Sequence, residues 1–294
     1  MTPFPPPRTA PAGWYPDPAG TGHRFFDGHG WTASRPGFVE PQAHPSLPLR
    51  AAIGALLVLV VSLIGGKALV DWLVRYDWPL ISYVVILALV GYGPSLLWGA
   101  YVRRRWGAQK LAALGWRFRW SDLGWGPVTW LAAIGVQILL AVIVLVFGIP
   151  QSSNVDSATD LGADRAYLIA TLVTAVIAAP IIEELVFRGL VMRGLLSRMS
   201  PILAIGLQGV LFGVAHVDPV RGAGNIGLAL VLSGVGVAFG TSAYLTRRLG
   251  PTVIAHAIFN GVVLAIVLSG VLDDIETDFR SSLLTSIVDG IVHR

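Results

Sequence analysis

Two adjacent carboxylates follow an apolar stretch in the middle of this chain. The stretch runs from Tyr167 to Ile182. Glu183 and Glu184 come directly after it, and Arg188 lies four residues beyond Glu184. A charged carboxylate at the centre of a bilayer costs about 2.5–3.5 kcal/mol on insertion scales, so an adjacent pair at such a place indicates a catalytic or ion-handling function. The alternative is a helix that ends at Ile182 and leaves both carboxylates in water.

Two histidines also lie in apolar stretches, and the other histidines do not. Phe212 precedes His216 by four residues, and His256 precedes Asn260 by the same number. Side chains four residues apart lie on one face of a helix, so each pair is presented together. The same spacing in Glu184 and Arg188 favours an ion pair.

These residue types fit hydrolysis of a peptide bond. A glutamate and a histidine that share a water can deprotonate it for attack on a carbonyl carbon. His256 and Asn260, on one helical face, can donate hydrogen bonds to the oxyanion that forms. The sequence therefore predicts Glu183, His216, His256 and Asn260 as catalytic residues.

A common site requires that these side chains reach the same depth in the membrane. At 1.5 Å per residue, Glu183 lies about 24 Å from Met199 along a continuous helix. By the same rise, His216 lies about 22 Å from Pro201. The two side chains are level if the helix of Glu183 continues into a helical hairpin, and they lie at opposite membrane faces if it ends at Ile182.

The composition is that of an integral membrane protein. Hydrophobic residues make up 54% of the chain and charged residues 13%, whereas soluble domains carry about 25% charged residues. The chain has no cysteine, which excludes disulfides, thiolate zinc sites and cysteine nucleophiles. The formal net charge of +4 does not indicate nucleic acid, because the basic residues cluster beside apolar stretches.

The apolar stretches predict an all-α polytopic membrane protein, a bundle of about seven to eight transmembrane helices with a small β-rich N-terminal module. A span needs about 20 apolar residues. The membrane domain is predicted at 50–272, and residues 273–294 are predicted as a tail or a short final helix at 279–293. The predicted spans are 50–70, 79–101, 127–149, 166–186, 201–217, 225–246 and 251–272.

Charges in the connections predict the topology. Arginines and lysines crowd the connections after the second, fourth and sixth spans, whereas aspartates occupy the opposite connections. By the positive-inside rule, the N-terminus and the basic connections are cytoplasmic.

The N-terminal region predicts a docking module. Residues 1–12 are Pro-rich and predicted to be disordered, 13–35 form a small Trp-rich module, and 36–49 are a linker. Residues 13–32 resemble a small bacterial domain of unknown function with the pattern G-W-Y-x-D-P…D-G-x-x-W-T. The resemblance implies a protein partner at 13–35 and a bacterial plasma membrane. Trp14 and Trp31 are predicted as its core, with a groove for proline peptides as the alternative.

Three motifs carry a second resemblance. Over roughly residues 165–265, their order is that of the CAAX-protease and bacteriocin-processing family of intramembrane endopeptidases, which the chain resembles. Each motif is weak alone, but three in order on separate spans are a strong signal. The motifs are Glu183-Glu184-x-x-x-Arg188, Phe212-x-x-x-His216 and His256-x-x-x-Asn260.

The resemblance implies a role for each motif residue. It implies Glu183 as the base with His216, and His256 with Asn260 as oxyanion donors. The remaining motif residues, Glu184, Arg188 and Phe212, would support the site. A metal-free mechanism is favoured, because Asn260 is a poor zinc ligand and a good donor; zinc at Glu183, His216 and His256 is the alternative.

Other functions remain open on the sequence. A proton- or cation-coupled transporter could use Glu183, Glu184 and His216 as a relay. An immunity or binding scaffold could keep the same fold without chemistry. Asn260 could join helices by an interhelical hydrogen bond rather than act on substrate. The expected partners are the lipid bilayer and a membrane protein or peptide substrate, with no nucleic acid.

Overall fold

The computed structural model describes residues 13–16, 23–26, 29–31, 47–107, 110–152 and 165–269. The chain divides into two compact units, Met1–Ala43 and His44–Arg294. The predicted Pro-rich segment 1–12 and the predicted final helix 279–293 lie outside the described residues, as does most of the predicted linker.

The N-terminal unit contains a hairpin of two short antiparallel strands, β1 (Gly13–Pro16) and β2 (His23–Phe26). The rings of Tyr15, Phe26 and Trp31 meet edge to face, with centroids 5.6 to 6.3 Å apart. Trp31 therefore packs in an aromatic cluster, whereas the side chain of Trp14 lies outside the described residues. A β-rich module beyond this hairpin stays a prediction.

The second unit is helical wherever the structure describes regular elements. Three short 3₁₀ turns connect its helices at Val74–Tyr76, Leu111–Leu114 and Pro219–Gly224. The helices are α1 (Leu49–Leu73), α2 (Leu80–Arg105), α3 (Asp122–Val146), α4 (Arg165–Val173), α5 (Ala179–Glu184), α6 (Met192–Leu195), α7 (Pro201–Val214), α8 (Asn225–Thr246) and α9 (Gly250–Leu268).

α4, α5 and α6 form one continuous helix, which we call the glutamate helix (residues 165–195). Two π-helical segments, Thr174–Ala178 and Leu185–Val191, join its parts with right-handed backbone angles at each junction. The helix therefore does not end at Ile182, and the alternative that it stops there is wrong. A turn after Leu195 leads into α7, which gives the helical hairpin that a common site requires.

Five helical segments in the described residues are long and apolar enough to cross a membrane: Leu49–Tyr76, Leu80–Arg105, Asp122–Val146, Leu168–Leu195 and Gly222–Thr246. In the described residues, the spans predicted at 201–217 and 251–272 correspond to shorter apolar stretches, Pro201–Val214 and Gly250–Ile266. α7 ends at Val214, two residues before His216. The chain is a multi-helix membrane protein.

The glutamate helix lies at the centre of this unit. Val186 and Leu190 on it are inaccessible to solvent, and they pack in one apolar cluster with Ala51 and Ala55 of α1. Large apolar side chains on the outer faces remain exposed, as expected for surfaces that contact acyl chains. The glutamate helix is therefore buried from Leu185 to Leu195, where it packs on α1.

Glycines bring α7 and α8 into close contact. A Cβ atom on Gly236 of α8 would lie 2.9 Å from the Cα atom of Gly209 on α7. Beyond the C-terminal end of α8, Arg248 makes an ion pair with the buried Asp122, in which Arg248 Nε donates to Asp122 Oδ1 at 3.0 Å. This pair fastens the start of α3 to the turn between α8 and α9.

Replacement of Gly209 by alanine should separate α7 from α8. The added Cβ would lie 2.9 Å from Val237 N and 3.0 Å from Ser233 O, and backbone atoms cannot move aside as a side chain can. Overpacking costs about 1–3 kcal/mol, which exceeds the roughly 1 kcal/mol that alanine gains over glycine in a helix. We expect Gly209→Ala to lower the unfolding temperature in detergent.

Gly206→Ala is the matched control, because a Cβ at Gly206 on the same helix meets nothing within 4 Å. It should unfold at or above the wild-type temperature. Equal unfolding temperatures for the two variants would contradict the close approach of α7 and α8.

Candidate active site

A buried ion pair organises the candidate site. Arg188 Nη1 donates to Glu184 Oε1 at 2.7 Å, and both side chains have no solvent exposure. The guanidinium lies over the ring of Phe212, 4.5 Å from its centroid, and 5.3 Å from that of Phe239. Arg188 Nη2 also donates to the backbone carbonyl of Gly236. The i,i+4 spacing predicted this pair, and its burial shows that neither residue faces bulk water.

Glu184 also orients His256 on α9. His256 Nδ1 lies 3.1 Å from Glu184 Oε1, and since an ionised carboxylate only accepts hydrogen bonds, Nδ1 carries the proton. This contact turns Nε2 towards the other carboxylate, 3.9 Å from Glu183 Oε2. The imidazole is nearly buried and contacts the rings of Phe212 and Phe239.

His216 is oriented by its own motif partner. Its Nδ1 lies 2.8 Å from the carbonyl oxygen of Phe212, which can only accept a hydrogen bond. Nδ1 is therefore the donor, and Nε2 of the neutral ring carries a lone pair. That nitrogen lies 3.8 Å from Glu183 Oε2. Phe212 also stacks beside the imidazole, with ring centroids 4.7 Å apart.

Glu183 is the point on which these groups converge. Its Oε2 is buried and has no hydrogen-bond partner among the described residues. It faces Nε2 of His216 and of His256 at distances too long for direct hydrogen bonds but short enough for one bridging molecule. The structure thus brings Glu183, Glu184, Arg188, Phe212, His216 and His256 together.

Asn260 makes an interhelical hydrogen bond. Its Nδ2 donates to the carbonyl oxygen of Ala175 at 2.8 Å. Ala175 belongs to the π-helical segment Thr174–Ala178, where the regular α-helical bonding pattern is interrupted. One of the two amide hydrogens is used in this contact, so the oxyanion role of Asn260 stays a prediction beside an observed structural one.

Tyr92 reaches the site from α2, and the sequence reasoning missed it. Its hydroxyl donates to Glu183 Oε1 at 3.2 Å across a separation of 91 residues. A signal was present: tyrosines in membrane helices concentrate at the two interfaces, whereas Tyr92 lies in the middle of its span.

The zinc alternative requires Glu183 Oε2, His216 Nε2 and His256 Nε2 to move closer together. Zinc binds nitrogen and oxygen at about 2.0–2.2 Å, which sets tetrahedral ligand atoms about 3.4 Å apart. Both histidine nitrogens lie further than that from Glu183 Oε2. Within the part of the chain that the structure describes, no group of three or more His, Cys, Asp or Glu side chains has the arrangement of a metal site.

Comparison with known families confirms both resemblances. Residues 165–262 match the family model described as type II CAAX prenyl endopeptidase Rce1-like, and residues 12–45 match that of a protein of unknown function, DUF2510. Searches of the curated proteins and of the solved structures gave no match. About a third of the chain, residues 165–262, is therefore similar to a CAAX protease family. The matched segment contains every predicted site residue, whereas Tyr92 lies outside it.

Loss of the guanidinium should destabilise the whole membrane unit. Arg188→Ala leaves the carboxylate of Glu184 buried without its cation, a change that costs about 3–5 kcal/mol. We expect a large fall in the unfolding temperature of the purified protein.

Lys67→Ala is the control, because it breaks an ion pair of the same i,i+4 spacing whose two side chains are 68% and 61% exposed. Exposed pairs contribute little, so its unfolding temperature should stay near that of the wild type. A small effect of Arg188→Ala would contradict a structural role for the buried pair.

Proposed function

We propose that this protein is an intramembrane endopeptidase that hydrolyses a peptide bond of a membrane-associated substrate. The observation that carries the proposal is the convergence on Glu183 Oε2 of two histidine nitrogens, 3.8 and 3.9 Å away. Three separate helical segments supply these groups, and all of them lie within the segment that matches a CAAX protease family. That match supports peptidase activity at the level of the family.

Glu183 acts as the base in this proposal. A water between Glu183 Oε2 and His216 Nε2 donates one hydrogen to each, because both atoms are acceptors in the geometry described above. Its oxygen then attacks the carbonyl carbon while one proton passes to Glu183. When the bond between carbon and nitrogen breaks, the same carboxyl returns that proton to the leaving amine.

His256 and Asn260 stabilise the oxyanion in this proposal. Since His256 Nδ1 donates to Glu184, its Nε2 can donate to an oxyanion only when the ring carries a second proton. The proposal therefore assigns the doubly protonated ring to His256 during the reaction. Asn260 contributes the amide hydrogen that does not bind Ala175.

The location of the site supports a substrate that is held in the membrane. Glu183 and His216 retain side-chain exposures of 15% and 23%, so the site is enclosed but reachable. We place the protein in a bacterial plasma membrane with its N-terminus and its basic connections cytoplasmic, which opens the site towards the cytoplasmic half. The family description is that of a CAAX prenyl endopeptidase; the wider proposal is a membrane protein or a peptide as substrate.

Glu183→Gln and His216→Ala should each abolish cleavage while leaving the fold intact. A general base contributes about 10²–10⁴-fold to a rate, and neither residue belongs to the Glu184–Arg188 ion pair. Cleavage is measured by comparing the protein termini in membranes of cells that express the wild type or a variant. A quenched fluorescent peptide with a prenylated CAAX end provides a second assay.

Unchanged unfolding temperatures of both variants are the control in this test. Undiminished cleavage by either variant would remove the proposed function. Proton flux into liposomes that stops in Glu183→Gln, without any proteolysis, would favour a transporter instead.

Catalysis should not require a metal ion. We expect purified protein to contain no stoichiometric zinc by elemental analysis, and we expect a zinc chelator to leave cleavage of the prenylated peptide unchanged. Stoichiometric zinc that is lost together with activity in His216→Ala would replace the glutamate-activated water by a metal-bound one.

A further inference from the structure

We propose that Tyr92 is a positioning residue: by binding one carboxylate oxygen of Glu183, it determines that the other oxygen acts as the base. This inference rests on the proposed function and adds a helix, α2, that lies outside the matched family domain. Tyr92 donates its hydroxyl hydrogen to Glu183 Oε1, and Oε2 is left facing the two histidines.

The Tyr92 hydroxyl restricts rotation of the Glu183 carboxylate. The terminal torsion of glutamate is broad and roughly two-fold, so a carboxylate without partners presents either oxygen over a wide range of angles. Among the described residues, the Tyr92 hydroxyl is the only hydrogen-bond donor to the Glu183 carboxylate. A bond to Oε1 fixes the carboxylate plane and therefore the direction of Oε2.

Glu183 and Glu184 accept hydrogen bonds from different kinds of donor, a phenol hydroxyl and a guanidinium. Glu184, the neighbouring carboxylate, is held by a guanidinium at 2.7 Å, which suits a permanent anion. A base must accept a proton during the reaction, and a cation at the same distance would oppose that step. A phenol hydroxyl donates one hydrogen bond without adding charge. Two adjacent glutamates thus receive different partners that match two different tasks.

α2 is fixed against its neighbours, so it can hold the Tyr92 hydroxyl in place. Its Gly99 packs on the glutamate helix, where an added Cβ would lie 3.2 Å from Leu185 Cδ2. Trp98 Nε1 of the same helix donates to the backbone carbonyl of Ala51 on α1 at 3.1 Å. α2 is therefore anchored on both neighbours within two turns of Tyr92.

Tyr92→Phe tests this inference, since it removes the hydroxyl and keeps the ring. Because the carboxylate then turns freely about its terminal torsion, kcat for the prenylated CAAX peptide in proteoliposomes should fall at least about tenfold. KM should stay within about twofold, and the unfolding temperature should not change. A purely structural role of the ring would leave kcat at the wild-type value.

Tyr83→Phe is the matched control, because Tyr83 also lies on α2 but its hydroxyl contacts the backbone of Trp78 and Leu73. It should retain wild-type kcat, and Glu183→Ala should be inactive. Wild-type kcat in Tyr92→Phe, with Glu183→Ala inactive, would overturn the role of Tyr92 and leave the proposed function standing.

A second measurement does not depend on proteolysis. Dicyclohexylcarbodiimide modifies carboxyl groups within membranes, and loss of the Tyr92 hydroxyl frees Glu183 Oε1 to react with it. Mass spectrometry should therefore find Glu183 modified about tenfold faster in Tyr92→Phe than in the wild type or Tyr83→Phe. Equal rates would overturn the inference. A wild-type protein that cleaves nothing yet shows this difference in modification rate would overturn the proposed function and leave the contact of Tyr92 with Glu183 in place.

Discussion

The buried ion pair between Glu184 and Arg188 is the interaction on which the rest of the site depends. Desolvation of two charges costs several kcal/mol for each ion, and their mutual attraction offsets this only when further partners complete the geometry. Those partners come from α7, α8 and α9, through the ring of Phe212, the carbonyl of Gly236 and the imidazole of His256. Because each partner belongs to a different helix, the pair gains these contacts only in the assembled bundle; Glu184 Oε2 and Arg188 Nε stay without a hydrogen-bond partner among the described residues. The same contacts orient His256, so the site acquires its geometry when the helices assemble.

The glutamate helix carries its reactive residue between two widened turns. Both π-helical segments interrupt the regular backbone pattern, and such segments are frequent at functional sites. In lipid an unpaired carbonyl is costly, and Asn260 relieves the first segment by donating to Ala175. The third motif therefore supports the helix that carries the first one. This dual position explains how an amide can matter to the site before any substrate binds.

Local sequence patterns predicted much of this arrangement. The i,i+4 spacings gave the Glu184–Arg188 pair and the contact between Phe212 and His216, and the rise of a helix gave the common depth of Glu183 and His216. Apolar stretches gave the helix positions within a few residues at most boundaries. These features depend on neighbours along the chain, which a sequence displays directly.

Contacts between distant segments could not be obtained in the same way. The pairing of Tyr92 with Glu183 depends on how α2 crosses the glutamate helix, and no local pattern encodes that crossing. The π-helical segments were missed because nothing in their composition distinguishes them from ordinary helix. For Asn260 the sequence left an oxyanion role and an interhelical hydrogen bond open, and only the packed backbone identifies Ala175 as an acceptor.

The shortness of α7 has a consequence for the surrounding lipid. Its 14 residues extend about 21 Å, whereas the hydrocarbon core of a bilayer is about 30 Å thick. Such hydrophobic mismatch is relieved by local thinning of the bilayer, at a cost of fractions of a kcal/mol per ångström. His216 follows the end of this helix, so such thinning would bring headgroups and water close to the reactive groups. A peptide bond that is normally shielded by acyl chains would meet a dimpled, hydrated membrane there, and its backbone could leave the helical state at a smaller energetic penalty.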